Sequence, residues 1–281
     1  MKIGVTGPKG RVAMELVGRG CLPIHGDIAD ERAMEAACAS FDAIINCAAW
    51  TDVDGAETDD EATREKVIRT NTKGPGILRC SFGGFLIHLS TSYVFDGKDG
   101  PNDEDATPNP LNFYGISKLG GEAAACVRQP TLIVRVMDLY GQKAKPDFVR
   151  RTLDALHLGR QVPLPTNLMG SPTYVPHLAD ALLWLVKDWP VKWNGLAPNP
   201  ILNIVGDGTL SRYAWGRKVA EAFGYDKALI VPSDENWGKA PRPLRGGLLV
   251  DKARRLGVPI HTPDEGLAAL LKADGSDAQT T

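Results

Sequence analysis

Short apolar runs alternate with amphipathic stretches along the first half of the chain. KIGVT (2–6), LPIHGDI (22–28), FDAIINCAA (41–49), FLIHLSTS (85–92) and TLIVRV (131–136) read as strands. GRVAMELVGRG (10–20), ADERAMEAACAS (29–40) and FYGISKLGGEAAACV (113–127) space their apolar residues as helices do. TDDEATREKVIRTNTKGPGILRCS (58–81) reads as a helix interrupted at Gly74–Pro75–Gly76. The strand runs are apolar throughout rather than alternating, as expected when helices cover both faces of a sheet. This rhythm predicts an α/β fold built on a doubly wound parallel sheet.

Beyond residue 136 prolines and glycines become frequent, and the strand–helix rhythm breaks. The helical stretch HLADALLWLVKDW (177–189) and the apolar run ILNIV (201–205) are expected to rejoin the sheet. The chain then divides into a Rossmann-like dinucleotide-binding domain over 1–136, rejoined by 177–205, and a smaller substrate-binding lobe over 137–176 and 206–271. The polar end, 272–281, is expected to be a disordered tail.

Composition narrows the function. The 281 residues are 43% hydrophobic and 23% charged, with a net charge of -2. That balance leaves no basic excess for nucleic acid. No run approaches the roughly 20 apolar residues of a membrane helix, and MKIGVTG has no signal-peptide core. Five scattered cysteines form neither a disulfide framework nor a zinc site, so the chain reads as a cytoplasmic protein without a metal.

TGPKGRVA (6–13) links the first strand to the first helix. Gly7 and Gly10 let backbone approach a pyrophosphate at a helix N-terminus, and Ala13 permits close packing of helix on strand. Asp27 has the spacing of an acid that reads the adenosine ribose, although HGDIAD looks more like a strand end that contacts adenine. Arg11 is either a partner for a 2′-phosphate or a solvated helix charge. NAD and NADP both remain open, with NADPH slightly favoured.

LSTSYVFDG (89–97) brings Ser90, Thr91 and Ser92 to a strand's carboxyl end, where ligands bind in such sheets. Its hydroxyls serve either a substrate carbonyl or their own backbone. Tyr114 and Lys118 lie four apart on one helical face. One reading is the rim of an amphipathic helix. The other is a phenol made more acidic by an ammonium group, able to protonate a carbonyl while Thr91 orients the oxygen.

Five stretches carry a resemblance: NCAAWTDVDGAE (46–57), STSYVFDG (90–97), NPLNFYGISKLGGE (109–122), GSPTYVPHLADAL (170–182) and PRPLRGGLLVDKARRLG (241–257). They resemble the extended short-chain dehydrogenase/reductases, and within these the dTDP-4-dehydrorhamnose reductase family. The resemblance implies reduction of a 4-keto deoxy sugar nucleotide by NAD(P)H, for polysaccharide synthesis, in a monomer or homodimer. It implies Thr91, Tyr114 and Lys118 as the catalytic set. It places Gly7, Gly10, Arg11, Asp27, Ala48, Ala49 and Lys118 at the cofactor. Thr51, Val53 and Tyr93 would face the sugar, with the Gly170–Thr173 loop, including Thr173, and Arg242 near the sugar nucleotide.

Two positions depart from that pattern. Ser92 stands where the family usually has Asp, and Asp138 where it usually has a tryptophan near the substrate. The chain also resembles the non-catalytic regulatory subunit of methionine adenosyltransferase, a second reading. A third is a sugar-nucleotide epimerase or dehydratase of the same superfamily.

Overall fold

A computed structural model describes residues 1–128, 130–141, 146–187, 200–233 and 238–277. Strands β1 (Ile3–Thr6), β2 (Leu22–Ile24), β3 (Ala43–Asn46), β4 (Phe85–Thr91), β5 (Thr131–Val136) and β6 (Ile201–Asn203) form one sheet. Its order is β6-β5-β4-β3-β1-β2, with every neighbouring pair parallel. The continuous apolar runs are explained by position: β3, β4 and β5 are buried at every residue.

The helices lie in two layers. Arg11–Gly18, Val175–Lys187 and Asp251–Arg255 cover one face, where Leu16, Leu178, Leu182 and Ala253 join Val5, Ile45 and Ile87. Glu31–Cys38, Gly74–Ser81 and Phe113–Ala125 cover the other, where Met34, Cys38 and Leu78 pack on Ile44 and Leu86. Several helices start on a side-chain cap: Asp30, Asp60, Asn112, Asp147 and Ser211 each accept a backbone N–H of the first turn.

The expected return of 201–205 to the sheet is observed as β6, paired with β5. The expected return of 177–189 is observed as Val175–Lys187; residues 188 and 189 lie outside the described ones. Three expectations need correction. Residues 58–81 are not broken at Gly74–Pro75–Gly76. Helix Glu61–Ile68 passes through a π-helical stretch, Arg69–Lys73, directly into Gly74–Ser81. Pro75 is the second residue of that last helix and directly follows the π-helical stretch. Secondly, of the expected tail 272–281, residues 272–277 continue helix Pro263–Asp277, held by Arg150, which donates to both Asp274 oxygens at 2.6 and 2.8 Å; residues 278–281 lie outside the described ones. Thirdly, Ala253 and Val258, assigned to the lobe by sequence, pack into the core under the sheet, and Lys252 Nζ donates to the Ile201 carbonyl of β6.

The lobe is built from short strand pairs. Leu139–Tyr140 pairs with Thr173–Tyr174, Val162–Pro165 with Ile230–Ser233, and Met169–Gly170 with Leu210–Ser211. Tyr140, Tyr174, Trp215, Val219 and Leu267 form its core.

Candidate active site

The chain runs from β1 outward to β2, then back across to β3 on β1's other side. This reversal of strand order opens a crevice at the carboxyl ends of the strands, where open α/β sheets bind ligands. A cleft of about 750 Å³ occupies that place.

Gly7 and Gly10 shape its first wall. Gly7 has φ +63, and a Cβ there would lie 2.7 Å from the Ala48 Cα. Gly10 N–H closes the turn on the Gly7 carbonyl at 2.8 Å. Helix Arg11–Gly18 begins with no side-chain cap, so its first amides face the cleft without a protein partner from a cap. Backbone bared by glycine at an uncapped helix start is a cradle for pyrophosphate, and the residues present fit a dinucleotide. Below the turn runs a buried polar ladder. Thr6 Oγ1 donates to Asn46 Oδ1 at 2.6 Å, and Asn46 Nδ2 lies 2.9 Å from His88 Nδ1. Burial, and secondly Lys118, hold the His88 imidazole well below its usual range, so it is neutral.

The facing wall holds the three residues expected to act together. Thr91 ends β4, and Tyr114 and Lys118 lie on helix Phe113–Ala125; all three line the cleft. Asn112 sets the start of that helix. Its Oδ1 accepts the Gly115 N–H at 2.8 Å, and its Nδ2 donates to the Pro241 carbonyl at 2.8 Å. Lys118 Nζ donates to the Leu89 carbonyl at 2.6 Å. The electrostatics differ from the expectation of an acidified phenol. Burial pushes Tyr114 up to about 12, opposed by its hydrogen bond with Thr91. Burial brings Lys118 down to about 8, opposed by Glu122. The Thr91 hydroxyl also accepts the Tyr93 N–H at 3.3 Å, so it serves its own backbone as well.

Of the other expected site residues, Arg11, Ala48, Ala49, Thr51, Val53 and Tyr93 line the cleft. Arg11 Nη2 donates to the Pro146 carbonyl at 2.7 Å, and its side chain is half-buried at the cleft. Three expected residues do not line it. Asp27 caps its own turn through the Ala29 N–H at 2.9 Å and pairs with Arg69 at 2.9 Å. That backbone bond, with Arg69, holds its carboxyl below the usual range. Thr173 is buried; its hydroxyl donates to the Ser171 carbonyl and accepts the Gly206 N–H. Arg242 grips both Asp54 oxygens at 3.0 and 2.8 Å and bonds the Tyr93 side chain, just behind the wall.

Sequence reasoning missed Lys9, Thr70 and Met137, which also line the cleft. His25 and Gly26, the start of the HGDIAD strand end read as an adenine contact, line it as well. Thr70 sits in the π-helical stretch, which leaves no mark in the residue pattern.

The family described as "RmlD substrate binding domain" matches residues 1–275. The chain belongs to the RmlD family. A dTDP-4-dehydrorhamnose reductase of Mycolicibacterium smegmatis is 36% identical over 275 residues, covering 94% of this chain and 79% of that relative. Methionine adenosyltransferase 2 subunit beta of Xenopus laevis is 29% identical over 245 residues, covering 84% and 72%. Among solved structures, a dTDP-4-dehydrorhamnose reductase from Bacillus anthracis in complex with NADP shares the fold. Its TM-score is 0.82 and its identity 24%, covering 97% of this chain and 100% of that one. The RmlD assignment agrees with the five sequence stretches that carry the resemblance. Among the described residues, no helix is long and apolar enough to cross a membrane, and no group of three His, Cys, Asp or Glu could hold a metal ion.

Proposed function

We propose that this chain reduces the 4-keto group of a deoxy sugar nucleotide, dTDP-4-dehydrorhamnose, with NADPH or NADH. The carrying observation is the meeting of Thr91, Tyr114 and Lys118 on one wall of a cleft whose other wall is a glycine turn and a bare helix start. Gly7, Gly10 and the first amides of helix Arg11–Gly18 would hold the pyrophosphate, with Ala48 and Ala49 beside it and Lys118 at the nicotinamide ribose. A nicotinamide held there would supply hydride to the sugar carbonyl.

Every other task falls to the chain. Thr91 donates a hydrogen bond to the carbonyl oxygen and fixes its position. Tyr114 gives that oxygen its proton. A phenol pushed up to about 12 stays protonated at neutral pH, which suits a general acid. The alkoxide forming on the sugar is a stronger base still, so the proton moves downhill. Lys118, cationic below about pH 8, steadies the phenolate left behind. In this reading the sheet holds the dinucleotide, while the lobe of short strand pairs covers the sugar. Five cysteines, none in a disulfide, fit a reducing cytoplasm. The chain acts as a monomer or homodimer.

The test is oxidation of NADPH, and separately NADH, by the purified protein given dTDP-4-dehydrorhamnose, with Tyr114→Phe as control. Turnover lost in the control supports the assignment. Full activity in Tyr114→Phe overturns it. The similarity to methionine adenosyltransferase subunit beta supports a second reading, a cofactor-binding regulatory subunit. Cofactor binding without reduction of any keto sugar favours that one.

A further inference from the structure

Among the described residues that line the cleft, one carries a carboxylate: Asp138. It follows β5 by one residue and is held in a conformation few side chains adopt. Its φ is +50, and among the described residues no other non-glycine backbone is left-handed. Three neighbours hold it there. The Asp138 carbonyl accepts the Thr173 N–H at 3.2 Å. Its carboxylate pairs with Arg212, whose guanidinium lies over the Phe148 ring at 5.1 Å. Residue 170 is glycine, and a Cβ there would lie 2.0 Å from Asp138 Oδ2.

This arrangement is more than a surface ion pair. The Asp138 side chain is 9% exposed, and the residue lines the cleft. A carboxylate offers about four acceptor directions, and among the described residues Arg212 Nη2 donates to one of its oxygens. Tyr93, on the same wall, feels the charges of both Asp138 and Arg212. The Ser92 hydroxyl, also at the cleft, is buried without a partner. This end of the cleft therefore presents acceptors and a neutral hydroxyl, which match the hydroxyls of a sugar ring.

We propose that Asp138 is a specificity-determining residue, accepting a hydrogen bond from a ring hydroxyl of the sugar and turning away sugars that carry a carboxylate. The proposal rests on the sugar-nucleotide reading of the cleft. Arg212 is the positioning residue: it fixes the carboxylate and offsets its charge.

Calorimetry tests this through the sugar's own share of binding, taken as the ratio of Kd for dTDP to Kd for dTDP-L-rhamnose. Asn tolerates the left-handed backbone, so Asp138→Asn should fold. Its ratio should fall about tenfold, the loss expected for a hydrogen bond to a charged group. The Kd values for dTDP alone and for NADPH should stay put. KM should rise by more than kcat falls. The double variant Asp138→Asn, Arg212→Gln should lose the same ratio. Arg212→Gln alone should keep most of it. Wild type should bind UDP-glucuronic acid less tightly than UDP-glucose, and Asp138→Asn should narrow that gap. An unchanged ratio in Asp138→Asn overturns the proposal. So does an equal weakening of dTDP, NADPH and dTDP-L-rhamnose with a lower Tm, which marks a structural role. A ratio lost equally in Arg212→Gln gives the sugar contact to Arg212 instead. If the deoxy sugar is not turned over, the substrate reading falls, and the same ratio measured with UDP and UDP-glucose decides the role of Asp138.

Discussion

Tyr93 stands edge-on to Tyr114, with ring centroids 5.6 Å apart and planes at 78°. Such a contact contributes about 0.5–1.5 kcal/mol beyond its buried area. It also blocks the sideways swing of the phenol proposed to deliver the proton. Tyr93→Ala should lower kcat about tenfold and leave NADPH affinity unchanged, measured by single-turnover kinetics and fluorescence titration. Tyr93→Phe keeps the ring and loses the bond to Arg242, so it should raise KM and spare kcat. Equal kcat in Tyr93→Ala and wild type would remove Tyr93 from the positioning of Tyr114.

Lys118 sets a pH limit. Its folded value, about 8, lies below the ordinary 10.5. The cation is present below pH 8 and lost above it, so kcat/KM should decline above about pH 8. Stability runs the other way. Between pH 8 and 10.5 the unfolded chain binds more protons at this site, so stability rises with pH through that window. The full effect is about 3 kcal/mol. Urea unfolding of wild type and Lys118→Met should diverge across that window. A pH-independent difference would place the titration elsewhere.

Glu122 ties the proposed catalytic helix to β5. Arg135 Nε and Nη2 donate to its two oxygens at 2.9 and 2.8 Å, and both side chains are buried. Glu122→Gln leaves a buried guanidinium without its anion, a loss of about 3–5 kcal/mol. Tm should drop by about 10 °C. Glu122 also raises the Lys118 value, so the alkaline limb of the pH profile should move to lower pH. A large Tm loss with an unmoved limb would separate the two roles.

Asp27 gives the opposite kind of prediction. It is half exposed, and its oxygens are engaged by Arg69 and the Ala29 amide. Asp27→Ala should change NADPH affinity by less than about twofold, as expected for an exposed pair. A tenfold change would return Asp27 to the cofactor.

The sheet was legible because burial on both faces leaves adjacent apolar residues, as in Leu86 and Ile87 of β4, which enter opposite cores. The glycine turn, Thr91, Tyr114 and Lys118 were legible because each sits at a strand's end or on one helical face. Spacing alone does not show that the Asp27 carboxylate is taken up by the Ala29 amide and Arg69. Pattern failed at Arg69–Lys73 too. A π turn keeps helical residue types, and its effect appears only in space, where buried Asn71 donates to Trp50 O and Ser117 Oγ at 3.1 and 3.0 Å. The rise of the Tyr114 phenol to about 12 was hidden for a similar reason. Sequence shows a lysine four residues away but not how deeply both are buried.

Asn112 has a mechanical consequence. One side chain caps the helix bearing Tyr114 and Lys118 and holds the carbonyl beside Arg242. Its two amide atoms divide the work: Oδ1 caps the helix, a cap worth about 1 kcal/mol, while Nδ2 holds the Pro241 carbonyl. A single side chain thus rivets the start of the helix that bears the acid and the ammonium to the C-terminal segment, so the placement of Arg242 is set by the same amide that sets Tyr114.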